Sequence, residues 1–113
     1  MIKSLGVLGA ALLLAACVTP QEQRAATLAR GHDLAATHCS SCHAVERQGQ
    51  SPAPEAPPFS SLSHGYRVST LDQALNHGIS VGHPAMPEFR FAPNDVQALV
   101  LYLQSIQDMG PGS

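Results

Sequence analysis

The sequence predicts an all-α fold of about three to four helices in one small domain. Three observations carry that expectation. Residues 22–37, EQRAATLARGHDLAAT, are alanine-rich and free of proline, a composition that favours helix. Val96, Leu99, Val100, Leu103 and Ile106 recur at helical spacing near the C-terminus, as the apolar stripe of a helix lying on a core does. No segment alternates apolar and polar residues in the manner of a strand. The 113 residues leave room for one such domain, and no internal repeat divides them.

The elements follow in chain order. Residues 1–17 open with Lys3 and run on as small and apolar side chains to Cys17, the pattern of an export signal. The run is too short for a comfortable spanning helix. Leu14-Ala15-Ala16-Cys17 resembles the bacterial lipobox, so residues 1–16 read as a lipoprotein signal peptide and Cys17 as the lipidated residue. Residues 17–23 read as a tether and residues 24–109 as the folded domain, with 110–113 a C-terminal tail. Within the first helix Gly31 is costly, and a close helix crossing would explain it. Residues 46–61 hold prolines at 52, 54, 57 and 58 and read as an extended loop. Phe59, Leu62 and Tyr66 follow at once, which favours a loop packed on the domain. Thr70 and Gln73 match a capping box, and Gly78 is placed to end the helix TLDQALNH. Residues 78–91 are irregular, with two prolines around Met86. The last helix starts near Pro93, a favourable first-turn residue, with Asp95 suiting its dipole. Gly110 and Pro111 would stop it.

Charge excludes one class of partner. Six basic residues face eight acids for a formal charge of −2, and loss of Lys3 with the signal would leave no lysine. Nucleic-acid binding is not expected on this balance. No basic stripe exists to grip an anionic lipid surface, so membrane attachment would rest on the lipid at Cys17. The chain has no tryptophan and few aromatics. Side chains alone would make a thin core, and a small domain of this kind often needs a staple or a cofactor.

Residues 37–45 read THCSSCHAV. A CxxC pair followed at once by histidine is the attachment motif of c-type haem. Thiols at Cys39 and Cys42 can meet two vinyl groups along one porphyrin edge, and His43 is then held below the iron. Zinc would need four ligands, and with Cys17 spent no second pair of suitable spacing remains. A thioredoxin-like redox pair would want a βαβ setting. A plain disulfide leaves His43 unexplained. The sixth iron position has Met86, Met109 and the histidines 32, 38, 64, 77 and 83 as candidates, or stays open. Met86 in the rigid Pro84-Ala85-Met86-Pro87 segment is the preferred ligand, with His83 its nearest rival. A thioether beside a proximal histidine raises the reduction potential and suits electron transfer.

In these residues the chain resembles a class I cytochrome c over about Leu28–Gln107. The motif CSSCH is the specific part. Gly31 matches the family's helix-crossing glycine, and Leu99, Tyr102 and Leu103 match the terminal helix packed across it. Ala56-Pro57-Pro58-Phe59 resembles the loop whose proline carbonyl accepts the proximal histidine's N–H, with Pro57 the expected acceptor and Pro58 the alternative. Met86-Pro87-Glu88-Phe89 resembles the MPxF distal segment. Two departures stand out. Ala35 occupies a position that is often aromatic, so Tyr102 would pack on a smaller surface. The lysine ring that many relatives use to meet acidic partners is absent, so the partner would be basic or would touch an apolar rim.

The resemblance implies a small cytochrome c fold around one covalently bound haem c. His43 would be the proximal and Met86 the distal iron ligand. Phe59, Leu62, Leu71, Phe89 and Leu99 are the expected pocket residues. The expected function is electron transfer: a monohaem carrier, not an enzyme, exported and anchored as a lipoprotein on the periplasmic side of a bacterial cell envelope. It would exchange single electrons with redox partner proteins. Val18, where a retention aspartate would sit, leans toward the outer membrane. The alternatives are a fixed relay subunit of a dehydrogenase or reductase complex, or a gas sensor or peroxidase with an open distal site.

Overall fold

The computed structural model describes residues 17–78 and 83–108. The signal peptide read over 1–16, the tail 110–113 and Met109 lie outside the described residues. Three α-helices make the frame: α1 (Pro20–His38), α2 (Leu71–His77) and α3 (Pro93–Ser105). Short 3-10 segments at Phe59–His64 and Val68–Thr70 join them. There is no strand among the described residues, as the missing alternation implies.

Helix α1 begins earlier than its composition suggests, and takes in most of the segment read as a tether. The cause is local. Thr19 accepts a hydrogen bond from the Glu22 amide, the Glu22 carboxylate accepts one from the Thr19 amide, and Pro20 fills the first turn. This capping box satisfies two amides that would otherwise be orphaned. The bonds from Thr19 hold the Glu22 carboxyl below its ordinary pKa.

The capping box expected at Thr70 does not form. Thr70 closes a 3-10 turn, and its hydroxyl donates back to Arg67 O at 2.8 Å. Its ψ of −1° is not the extended conformation that a capping side chain needs. Gly78 does end α2, at a φ of 70° in the left-handed region where glycine carries no Cβ penalty.

Packing is organised by the crossing of α1 and α3. Leu34 and Ala35 from α1 are buried with Ala98, Leu99, Tyr102, Leu103 and Ile106, so the C-terminal stripe faces the core as its spacing requires. At Gly31 the crossing leaves no room for a side chain. A Cβ there would lie 2.6 Å from Tyr102 Cβ and 2.7 Å from the Ala98 carbonyl carbon. Ala35 is fully buried, and the partner of the Tyr102 ring is His32 instead, edge-on at 5.3 Å between centroids. Tyr102 donates its hydroxyl to Val45 O at 2.6 Å, which ties α3 to the turn after the CSSCH motif. Burial pushes that phenol up to about 12.

Helix α3 stops at Ser105, short of Gly110. Gln107 turns back and donates its side-chain amide to both Phe59 O and Leu103 O at 2.7 Å, while Asp108 N donates to Ser60 O. The end of the helix is thereby fastened to the loop that carries Phe59.

His32 also reaches Glu46, with Nε2 2.6 Å from Oε1. That carboxylate raises the imidazole pKa above its ordinary 6.5, against the opposing pull of burial. A raised folded pKa stabilises the fold fully below the unfolded value, and the contribution is lost as pH rises through the folded value. Stability of the parent is therefore expected to fall, as pH rises from the ordinary imidazole value of 6.5 into the alkaline range, by more than that of His32→Gln. Thermal unfolding of both proteins across that range checks it. The difference will be small because the His32 ring is 39% exposed.

Candidate functional site

The site is built at the end of α1. Cys39 caps that helix through its amide to Ala35 O. The chain then folds into one tight turn, with Cys42 N donating to Cys39 O at 3.2 Å and His43 N to the same oxygen at 2.9 Å. Both cysteines and the histidine are thus presented by a single turn. The proline-rich loop is pinned to it rather than hanging free. Ala53 N donates to Cys42 O, Ala44 N to Ser51 Oγ, and Phe59 N to Ala44 O.

These bonds bring Pro57 O to 2.7 Å from His43 Nδ1. A carbonyl only accepts, so Nδ1 must carry the proton and Nε2 is left with its lone pair. The ring is further held by Phe59, whose centroid lies 4.8 Å away. A histidine whose one nitrogen is tied to a backbone carbonyl and whose other nitrogen is basic is prepared as a metal ligand.

Cys39, Cys42, His43 and Met86 all line one slot of about 500 Å³, a volume suited to a small-molecule cofactor. Its walls are mostly apolar. Phe59 and Leu62 come from the loop, Leu71 and Leu75 from α2, Leu99 and Leu103 from α3. All the residues expected at the pocket, Pro57 and Phe89 included, lie along this slot. Residues outside the expected pocket walls also line it: Phe91, Tyr66, and His38, which the sequence names only among several candidates for the sixth iron position. For the phenylalanine a signal exists, since Phe89-Arg90-Phe91 sets two rings on one side of an extended stretch. Nothing local marks His38.

The donor set fits a preformed cofactor better than a free ion. Among the described residues no group of three or more His, Cys, Asp or Glu is placed to chelate a metal. Burial pushes the Cys39 thiol up to about 11. The shift reflects an apolar wall around the sulfur. A thioether carries no charge and suits the same wall. Cys39 and Cys42 are not bridged to each other.

Three helices around an apolar slot, with a CxxCH turn at its edge and a proline carbonyl fixing the histidine, define a class I c-type cytochrome. Residues 28–107 match the family model described as Cytochrome c, and the chain belongs to that family. It is 27% identical over 99 residues to a cytochrome c-552 of Bradyrhizobium diazoefficiens, an alignment covering 88% of this chain and 93% of the relative. No solved structure matches. Membership of the family carries covalently bound haem c and the role of electron carrier. Such carriers work by meeting redox partners.

Proposed function

We propose that this protein is a lipid-anchored monohaem cytochrome that carries single electrons at a bacterial cell envelope, with iron held between His43 and Met86. The domain is read as residues 24–109 with the first turn of α1 added. Cys39 and Cys42 hold the haem through thioether bonds. The group supplies a one-electron couple, and the chain supplies its setting: Pro57 orients His43, and the apolar slot keeps water from the iron and disfavours the extra charge of the oxidised state. In this reading the protein carries electrons and has no substrate chemistry of its own.

The observation that carries the reading is the placement of Met86 on the same slot as a His43 whose Nε2 is basic. His83 is the weaker ligand. Its Nδ1 accepts from Ala85 N at 3.2 Å, which leaves the proton on Nε2 and no free lone pair in the neutral ring. The test is the optical spectrum of the oxidised holoprotein. A methionine-to-iron charge-transfer band is expected in the parent and absent from Met86→Ala. Survival of the band in that variant would remove Met86 from the ligand set.

No helix among the described residues is long and apolar enough to cross a membrane, so attachment in this reading falls to the lipid on Cys17. Because α1 begins at Pro20, only Val18 and Thr19 would separate the lipidated Cys17 from the helix, a span of at most about 10 Å. So short a connection favours a partner seated on the same membrane, which supports the fixed-relay alternative as a second reading. The mass of the mature N-terminus tests the anchor: an unmodified Cys17 would end it.

A further inference from the structure

Residues 83–92 carry Met86, yet little backbone bonding fastens them to the fold. Met86 N donates to His83 O and Ala85 N to His83 Nδ1, both within the segment. Among the described residues no hydrogen bond joins 84–91 to another element. What grips the segment is aromatic. Phe89 and Phe91 stack on each other with centroids 5.7 Å apart. The ring of His38 meets both edge-on, at 5.8 Å to Phe89 and 5.2 Å to Phe91. Edge-to-face contacts of this kind hold specific geometry as well as burying area. His38 is the last residue of α1 and directly precedes Cys39. All three rings line the slot.

We propose that His38 is a positioning residue for the distal ligand, its ring clamping Phe89 and Phe91 so that the Met86 segment is registered against the turn that attaches the haem. The proposal rests on the reading of Met86 as the iron ligand. The clamp links the two halves of the ligand set through space: the helix end that sets Cys39 also sets the chain that carries the thioether. The function required of the ring is shape and an aromatic edge, so phenylalanine can replace it and alanine cannot.

The test uses the holoprotein and the variants His38→Ala, His38→Phe and Met86→Ala. Two quantities are read: carbon monoxide association with the reduced protein, and loss of the methionine–iron band in guanidinium alongside helix content. Met86→Ala gives the rate of an open site. His38→Ala is expected to bind carbon monoxide at least tenfold faster than the parent, and to lose the band at denaturant concentrations where its helices persist. His38→Phe is expected to match the parent in both. A parental rate and band in His38→Ala would overturn the clamp while leaving Met86 as ligand. So would equal impairment of the alanine and phenylalanine variants, or a band lost only together with helix, since that is a general loss of stability. If Met86→Ala keeps the band and the parent's rate, the ligand reading is wrong and the clamp falls with it.

Discussion

Gly31→Ala is expected to destabilise the holoprotein by about 2 kcal/mol, lowering its melting temperature by about 10 °C. The new methyl group would have to share space with the Ala98 carbonyl and Tyr102 Cβ. Neither can swing aside, because one is backbone and the other is the root of a side chain. The only relief is to push α3 away from α1. Overpacking of that kind costs about 1–3 kcal/mol and belongs at the upper end when backbone must move. Alanine's better helix propensity offsets about 1 kcal/mol. The displacement also reaches the haem turn, since Tyr102 holds Val45 O from the same helix. Denaturant unfolding followed by circular dichroism decides the point. A variant as stable as the parent would show that the helices cross with slack at this position.

The comparison between sequence and structure turns on how local each signal is. The stripe on α3 was legible because burial on one face of a helix writes its own period, and all five of its residues are buried. Gly31 was legible as a cost in search of a reason. The line-up of Cys39, Cys42, His43, Pro57 and Met86 on one slot could be expected only through family resemblance, because the elements that carry them are far apart in sequence. Thr70 and Gln73 read as a capping box and form none, while Thr19 and Glu22, in the segment read as a tether, form one. Thr70 is turned away because it closes the 3-10 segment Val68–Thr70 and its hydroxyl bonds back to Arg67 O. The end of α3 was misplaced because Gln107 finds its acceptor on Phe59, 48 positions away. His32 and His38 each supply an aromatic edge, one to Tyr102 and one to Phe89 and Phe91. Such roles depend on which ring arrives from a distant element, and no period or motif records that.

Without its haem the chain is expected not to fold. The double variant Cys39→Ala/Cys42→Ala, refolded in the absence of haem, should show little helix and no cooperative transition. The volume of the slot sets the cost. A space of about 500 Å³ lined by Phe59, Leu71, Leu99 and Leu103 would have to stay open, flood or collapse. At about 24 cal/mol per Å³ an unrelieved cavity of that size costs on the order of 12 kcal/mol. The slot is not fully enclosed, and the exposed Tyr66 is part of its lining, so the full figure is an upper bound. Half of it, about 6 kcal/mol, still matches the whole stability of a domain this small, about 5–15 kcal/mol. Collapse offers no easy escape. α3 is fixed against α1 at Gly31 and against the loop through Gln107, so closing the slot from that side breaks contacts elsewhere. The α1–α3 pair alone buries too few large side chains to stand in for the missing centre, given a chain with no tryptophan. Native-like helix content with a sharp unfolding transition in the haem-free variant would show that the core closes on itself, and that the slot is not what the cofactor holds open.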